Sequence, residues 1–294
     1  MRLPYLLSVV LCFCLLCFGA IEGGNTVRGK IKIGGKQREY ILYLPAKLPE
    51  NSPLVFVIHG YTDNAQNMMN STGFNAIADE NKFAVCYPQG LKDKSGNTFW
   101  EVGYSFTQGL EVNDVEFLTE LAGFLQKKYK LSKPRTFATG HSNGAELSIV
   151  LACKTPDVFK AVAPVCGCIM KSVYEESQNS KPIPVFMINS TADKTSWWNG
   201  DIPNNQGYGS YLSTPDLLKF FVEKNKCNQI KVDTIPDINK QDSCFVISER
   251  HFNGINGNEV LFYKVVNGGH DWPGWSGNMD INASREIWNF FKKY

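Results

Sequence analysis

The sequence predicts an α/β fold, in which one domain has a mostly parallel central sheet with helices on both faces. Three observations predict it. Continuously apolar, β-prone runs recur along the chain, as in Leu54–Ile58, and such runs are typical of strands buried on both faces of a parallel sheet. Segments with helical periodicity separate these runs, as parallel crossovers require. No linker, internal repeat or low-complexity tract divides the 294 residues, which favours a single domain.

The elements can be assigned in order along the chain. Two alternating runs, residues 28–33 and 38–44, flank Gly34 and Gly35 and predict an opening hairpin. Asn113 begins the clearest helix, and Glu116, three residues later, would stabilise it by completing a capping box. This helix ends by residue 130. The other expected elements are strands at residues 54–58, 83–87, 135–138, 161–165, 184–189, 245–252 and 260–266, and helices at residues 66–81 and 281–291.

The stretch from Gly140 to Gly144 has the form G-x-S-x-G, with Ser142 at its centre. It lies between a β-prone run and a helix-forming run, residues 145–152, which is the context of the nucleophile elbow of an α/β-hydrolase. Glycines at both ends allow the strand and the helix to approach closely. Taken alone, the motif could also be a glycine-rich turn without a catalytic role. A catalytic interpretation therefore requires a histidine, an acid and a second oxyanion donor elsewhere in the chain.

Two histidines, His251 and His270, follow Ser142, and the order serine, acid, histidine is the one that α/β-hydrolases use. His251 lies in an alternating β-prone run, where a structural role on a strand is expected. His270 lies in a glycine-rich loop after a buried strand, a position that suits a catalytic base. We therefore predict His270 as the base, and we expect His59 and His141 to be structural.

The catalytic acid should lie in a loop directly after a strand of the sheet. Asp193 follows the strand at residues 184–189 and precedes His270, so we predict it as the acid. A turn-forming aspartate is the alternative role for this residue. Asp201 and Asp216 are the rival acids, although Asp216 has the position of an acid in the first turn of a helix.

The oxyanion hole needs two backbone donors. One should be the N–H of Asn143, directly after the nucleophile, and the other an N–H in the loop after the early buried strand. The loop begins His59-Gly60-Tyr61, which makes the Tyr61 amide the predicted second donor and the Thr62 amide the alternative.

Several motifs occur in a fixed order between residues 28 and 293. They are His59-Gly60, Tyr87-Pro88-Gln89-Gly90, Asn113-Asp114-Val115-Glu116-Phe117, Gly140-His141-Ser142-Asn143-Gly144, Thr191-Ala192-Asp193 and Gly268-Gly269-His270-Asp271-Trp272-Pro273-Gly274. Together they resemble the secreted esterases of carbohydrate esterase family 1, a group that includes feruloyl and acetylxylan esterases and is similar to polyhydroxybutyrate depolymerases. The resemblance implies a triad of Ser142, Asp193 and His270, ester hydrolysis on plant cell-wall xylan, and no metal or other cofactor. The sequence departs from this pattern at His141, where related sequences often have an apolar residue, and at the aromatic pair after Asp193.

Feruloyl groups on arabinoxylan are the favoured substrate, acetylxylan is the second choice, and a polyester is the third. Trp197, Trp198 and Trp272 lie in loops after the last strands and are candidate substrate contacts, although packing of the loops is an equally good explanation for each. A carbohydrate-binding protein on a hydrolase scaffold is the alternative from another functional class. A net charge of +2 gives no reason to expect nucleic acid or an anionic membrane as a partner, and a monomer is expected.

The first 20 residues predict a cleaved signal peptide, because Arg2 precedes an apolar run too short to span a membrane. The mature domain would then comprise residues 21–294 and be extracellular. Six cysteines would remain in it, and an oxidising compartment favours disulfides. Cys227 and Cys244 flank a polar loop and are the preferred pair, whereas Cys86 could be a free core thiol. The spacing Cys166-x-Cys168 lacks the partners of a typical metal site.

Overall fold

The structure is a computed structural model that describes residues 24–294. The predicted signal peptide, residues 1–20, lies outside the described residues. The strands are β1 Asn25–Ile33, β2 Lys36–Leu44, β3 Leu54–Ile58, β4 Ala84–Pro88, β5 Leu91–Lys92, β6 Thr98–Phe99, β7 Thr136–His141, β8 Ala161–Val165, β9 Val185–Ser190, β10 Gln229–Thr234, β11 Phe245–Phe252 and β12 Val260–Val266. The helices are α1 Ala65–Ser71, α2 Phe74–Asn81, α3 Asp114–Tyr129, α4 Asn143–Lys154, α5 Lys171–Glu176, α6 Thr214–Asn225 and α7 Ala283–Phe291.

The central sheet has 10 strands in the order β1-β2-β4-β3-β7-β8-β9-β12-β11-β10. Its middle strands, from β4 to β12 in this order, are parallel, and antiparallel pairs close both edges. The parallel register places Ile58 at the end of β3 opposite Gly140 of β7. Because the carboxyl ends of parallel strands lie at one edge, the loops after β3, β7, β9 and β12 meet there. This architecture confirms the predicted fold class.

Apolar layers cover both faces of the sheet. In β3, Phe56 belongs to the layer that contains Leu118 of α3 and Leu147 of α4, and its neighbours Val55 and Val57 belong to the opposite layer. The opposite layer contains side chains of α1, α2 and α7. Side chains of successive strand residues point to opposite faces, which explains why β3 is apolar throughout. Within residues 24–294, no helix is both long and apolar enough to cross a membrane.

Two expectations about individual elements were wrong. The single helix expected at residues 66–81 is two helices, α1 and α2, because Gly73 adopts the left-handed backbone conformation with φ of 69° and interrupts the helical hydrogen bonding. The edge strand β10 was not expected. All of its residues are exposed, so it lacks the apolar pattern that identifies a half-buried strand.

The preferred disulfide between Cys227 and Cys244 is also wrong, since all six cysteines between residues 24 and 294 are free. Cys227 precedes β10 and Cys244 precedes β11, and these two strands are antiparallel, with Gln229 paired to Phe252 at one end. The two cysteines therefore lie at opposite ends of the hairpin, and a disulfide requires Cα atoms within about 7 Å of each other. The sequence spacing suggested a closed loop, but the strand pairing prevents it.

Candidate active site

Ser142 lies at the sharp turn between β7 and α4. Its backbone has φ of 55° and ψ of −122°, a sparsely populated conformation that marks strain for a residue other than glycine. A Cβ atom on Gly144 would lie 2.3 Å from the carbonyl oxygen of Ile58, and one on Gly140 would lie 2.5 Å from the backbone of Gly144. The two glycines of the motif are therefore required by close backbone packing against β3, which fixes the turn that presents Ser142.

His270 and Asp193 are in direct contact. His270 Nδ1 lies 2.7 Å from Asp193 Oδ2, and the other carboxylate oxygen accepts hydrogen bonds from the amides of Thr195 and Ser196 at 2.8 and 2.9 Å. The Asp193 side chain is buried, whereas the His270 ring remains partly accessible. The carboxylate is thus held in place by the backbone and fixes the ring so that Nε2 is free to exchange a proton.

The rival residues have other roles in the structure. Asp201 accepts hydrogen bonds from the amides of Asn205 and Gln206 and organises its own loop. Asp216 lies in the first turn of α6, where it is hydrogen-bonded to the N-cap residue Ser213. His251 lies on β11, as expected of a structural strand residue.

The two predicted oxyanion donors belong to segments that are adjacent to Ser142. Asn143 is the first residue of α4, and the first amides of a helix have no partner within it. The Tyr61 amide makes no backbone hydrogen bond to any residue between 24 and 294, whereas the Thr62 amide donates to the Thr98 carbonyl at 2.8 Å. Gly60, directly before Tyr61, is packed close to Ser142. The geometry therefore favours Tyr61 over Thr62 as the second donor.

The Asn143 side chain serves a different purpose from its amide. Its Oδ1 accepts from the Trp100 amide at 2.7 Å, and its Nδ2 donates to the Trp100 carbonyl at 3.1 Å. The side chain is fully buried. The side chain therefore connects the elbow to the segment that contains Trp100. The Asn143 amide takes no part in these hydrogen bonds.

His59 fixes the loop that carries Tyr61. Its Nδ1 lies 2.7 Å from the Gly60 carbonyl, its Nε2 accepts from the Gly90 amide at 2.9 Å, and its carbonyl accepts from the Trp100 indole at 2.8 Å. A carbonyl can only accept and an amide can only donate, so the ring is neutral with its proton on Nδ1. Burial lowers the pKa of His59 from 6.5 to about 4. The structural role expected for this residue agrees with these contacts.

A cavity of about 170 Å³ adjoins Ser142 and His270. Besides Ser142 and His270, its lining has four tyrosines and five other residues, which are Tyr61, Tyr104, Tyr208, Tyr211, Met170, Cys168, Glu146, Thr195 and Ser196. Most of these residues come from loops whose spatial relation to Ser142 depends on the complete fold, so their part in the lining could not be predicted from the sequence, and Tyr61 was predicted only as a backbone donor.

The three predicted tryptophan contacts do not line this cavity. Trp272 is buried, its indole N–H donates to Ser284 Oγ at 3.1 Å, and its ring packs against Phe74. Trp198 packs against Phe262 of the sheet. Trp197 lies at the surface, with its indole N–H bonded to a carbonyl of its own loop. Trp272 and Trp198 therefore have packing contacts and Trp197 is exposed, and a contact between these residues and a substrate stays a prediction.

Glu146 is the most informative residue that sequence reasoning missed. It lies on α4 four residues after Ser142, is 4% exposed, and receives hydrogen bonds from the Tyr104 hydroxyl and from Cys168 Sγ, the latter at 3.0 Å. Burial raises its pKa above the ordinary value for a glutamate. The i, i+4 spacing from Ser142 was a signal in the sequence, because residues so spaced share one face of a helix.

Three side chains near the elbow could offer ligand atoms to a metal. They belong to His141, Cys166 and His270, and their ligand atoms lie within 4.8 Å of one another. Cys166 Sγ lies 3.3 Å from the Asp271 carbonyl, and burial raises the pKa of the thiol, so the protonated form is favoured. Burial lowers the pKa of His141 to about 3. These neutral forms suit packing beside His270 better than they suit a thiolate site.

Comparison with known proteins agrees with this geometry. Residues 38–197 match a family model described as Esterase PHB depolymerase. Probable feruloyl esterase C of Aspergillus clavatus is 26% identical over 91% of this chain and 87% of its own length. The bifunctional acetylxylan esterase/xylanase XynS20E of Neocallimastix patriciarum is 26% identical over 54% of this chain, which spans only 22% of the length of that relative.

A solved structure shows the same fold. The acetyl xylan esterase from Aspergillus awamori superposes with a TM-score of 0.65 at 14% identity, over 91% of this chain and 100% of the other. The family match covers more than half of the 294 residues. The chain therefore belongs to the Esterase PHB depolymerase family and is an esterase with the α/β-hydrolase fold.

Proposed function

We propose that this esterase is a secreted serine hydrolase that removes feruloyl and related hydroxycinnamoyl groups from plant cell-wall arabinoxylan. The observation that supports it most directly is the 2.7 Å contact between His270 Nδ1 and Asp193 Oδ2, beside a cavity that Ser142 also lines. A serine at a strained strand-to-helix turn, a histidine and a buried carboxylate are the three groups that acyl transfer needs.

In the proposed reaction, Ser142 Oγ attacks the ester carbonyl carbon while His270 Nε2 takes the hydroxyl proton. The Tyr61 and Asn143 amides donate hydrogen bonds to the oxyanion of the tetrahedral intermediate. The bond to the alcohol oxygen then breaks, and His270 returns the proton to that oxygen. Water attacks the acyl-enzyme by the same route and releases the carboxylic acid and free Ser142.

Asp193 has a supporting part in this scheme. It accepts a hydrogen bond from His270 Nδ1–H, which selects the tautomer with a free Nε2 and stabilises the imidazolium formed during attack. The reaction uses only side chains and backbone amides of this chain, together with water. The same proposal includes a plant polysaccharide as the substrate partner. It also includes a protein that is monomeric and extracellular.

The hydroxycinnamoyl preference is supported by the aromatic walls of the cavity and by the relative named as a feruloyl esterase, which aligns along most of both chains. Tyr104 and Tyr208 pack against each other with ring centroids 5.6 Å apart, and together they would form one aromatic wall against which a planar acyl group could pack. Two observations favour acetyl groups as the alternative, namely the small volume of the cavity and the acetylxylan esterase module of the fungal relative. A polyester is the third candidate, from the family description.

The proposal is tested by measuring ferulate and acetate released from native arabinoxylan by the wild type and by Ser142→Ala. We expect ferulate to exceed acetate with the wild type, and the variant to lose about 10³-fold or more in kcat on a simple aryl ester. Ser148→Ala, on the same helix but outside the cavity, is the matched control and should retain turnover. Release of acetate alone would select the alternative, and turnover retained by Ser142→Ala would exclude the serine mechanism.

A further inference from the structure

Glu146 is a buried acid whose presence the proposed reaction does not explain. It lines the same cavity as Ser142 and His270, yet among the described residues it makes no hydrogen bond to His270 or Asp193. Its hydrogen-bond partners, Tyr104 and Cys168, are neutral donors. Burying a carboxyl group without a positively charged partner costs free energy, so a stable core would favour an apolar residue here. A contact made by the substrate would explain why an acid occupies this position.

The helix geometry sets where Glu146 lies relative to the nucleophile. Ser142 is the N-cap of α4, and Glu146 lies one turn further, with its amide bonded to the Ser142 carbonyl at 3.0 Å. Residues four apart share a helix face and are separated by about 6 Å along the axis. An acyl group bound to Ser142 that extends into the cavity would therefore direct its distal end toward the Glu146 carboxyl group.

The carboxyl group has unused capacity to accept hydrogen bonds. An ionised carboxylate has about four lone-pair sites, and the Tyr104 hydroxyl and the Cys168 thiol each occupy one. A protonated carboxyl group, which burial favours at this position, still accepts at its carbonyl oxygen. A hydroxyl group of the substrate can thus donate to Glu146 in either protonation state.

The other residues that line the cavity indicate which kind of hydroxyl compound would bind beside Glu146. Tyr61, Tyr104, Tyr208 and Tyr211 provide aromatic surfaces around the cavity, and such surfaces pack well against another aromatic ring. A few polar groups beside aromatic surfaces are the pattern of a pocket that orients a mostly apolar ligand. The polar groups besides Glu146 belong to Ser142, Cys168, Thr195, Ser196 and His270. A phenol has both features, an aromatic body and one hydroxyl donor.

We propose that Glu146 binds the phenolic hydroxyl of a hydroxycinnamoyl acyl group and so selects hydroxylated over unsubstituted aromatic acyl groups. This inference rests on the proposed function, because it assigns the acyl group to the cavity beside Ser142. Glu146 would act as a specificity residue, which orients the acyl group and takes no part in proton transfer at the ester.

The test compares two esters that differ only in the phenolic hydroxyl, methyl 4-hydroxycinnamate and methyl cinnamate. We expect the wild type to favour the hydroxylated ester in kcat/KM by about tenfold or more, since a hydrogen bond to a buried carboxyl group is worth that ratio. Glu146→Leu should bring the ratio close to one, and Glu146→Gln, which retains one acceptor oxygen, should give an intermediate ratio. Glu175→Gln, at an exposed position, is the matched control and should keep the wild-type ratio.

The outcomes separate this inference from the function on which it rests. If both esters are hydrolysed and the ratio is the same in the wild type and in Glu146→Leu, the specificity role is wrong while the hydroxycinnamoyl esterase stands. If neither ester is hydrolysed but 4-nitrophenyl acetate is hydrolysed, the proposed substrate class is wrong. The role inferred for Glu146 is then wrong as well. Equal losses on both esters in Glu146→Leu would assign the residue a purely structural role and overturn the inference.

Discussion

Asp193 has its two carboxylate oxygens in different roles. Oδ1 accepts two backbone amide hydrogen bonds and Oδ2 faces His270. An asparagine at this position would keep its carbonyl oxygen toward the amide donors and turn its NH₂ group toward the imidazole, because two donors repel each other. His270 would then adopt the tautomer that protonates Nε2, which cannot accept the serine proton.

Asp193→Asn is therefore expected to lower kcat/KM on an aryl ester by about 10³–10⁴-fold. The measurement is steady-state turnover at neutral pH, with circular dichroism to verify the fold. Asp201→Asn is the matched control, since Asp201 organises a loop through the same kind of backbone contacts but has no histidine partner. Loss of activity in Asp201→Asn, with Asp193→Asn unaffected, would mean that Asp193 is not the acid.

The residues that could be predicted from the sequence are those whose role follows from chain order. Ser142, Asp193 and His270 each follow a strand of the parallel sheet, and the carboxyl ends of such strands meet at one edge. The cavity lining could not be predicted in this way. Tyr104 lies in the segment between β6 and α3, which has no apolar pattern that would place it near the elbow. Long-range hydrogen bonds hold this segment there, from Trp100 to Asn143 and His59 and from Tyr104 to Glu146.

At the scale of elements, the β7–α4 turn is held by contacts that admit only glycine. A methyl group on Gly144 would lie 2.3 Å and 2.5 Å from the carbonyl oxygens of Ile58 and His59, which are backbone atoms of β3 and its loop and cannot rotate away. The same loop continues to Tyr61. Strain introduced at Gly144 would therefore reach both Ser142 and the proposed oxyanion donor.

Gly144→Ala is expected to lower the free energy of unfolding by more than about 2 kcal/mol, because an overpacked buried position cannot relax when backbone atoms surround it. Urea unfolding monitored by tryptophan fluorescence measures this change. Gly123→Ala, on α3 with open space around its Cβ position, is the matched control and should be neutral or stabilising. Equal effects of the two substitutions would show that the close approach to β3 does not constrain the turn.

The elements that the sequence predicted are those with a strong apolar pattern. The buried parallel strands, the capped helix α3 and the closing helix α7 occur close to their expected positions. The exposed strand β10 and the break at Gly73 have no such pattern. Strand β10 is defined by its hydrogen bonds to β11, the next strand along the chain, and the break between α1 and α2 is defined by a single left-handed residue.

At the scale of the whole molecule, two neutral histidines, the buried His59 and the partly exposed His141, make stability depend on pH. Burial lowers the pKa of His59 to about 4 and that of His141 to about 3, from an ordinary value of 6.5. Below pH 6.5 the unfolded chain takes up protons at these positions while the folded protein does not. The free energy of unfolding is therefore highest above about pH 6.5 and decreases as pH falls toward 4.

The His59→Gln variant is expected to take up one proton fewer on unfolding below pH 6.5, because glutamine does not titrate. The slope of unfolding free energy against pH between 6 and 4.5 should fall by about 1 kcal/mol per pH unit, whatever the change in stability at neutral pH. Urea unfolding at several pH values measures this slope. An unchanged slope would mean that His59 is protonated in the folded protein, contrary to its contacts with the Gly60 carbonyl and the Gly90 amide.

The proposed reaction requires Ser142 to be an activated nucleophile. Covalent labelling with a fluorophosphonate, followed by peptide mass spectrometry, tests it most directly, because a protein that only binds carbohydrate has no reason to react. We predict a single adduct on the peptide that contains Ser142, much slower labelling of a His270→Ala variant, and none in Ser142→Ala. An unlabelled wild type, or an adduct on a different serine, would contradict the account.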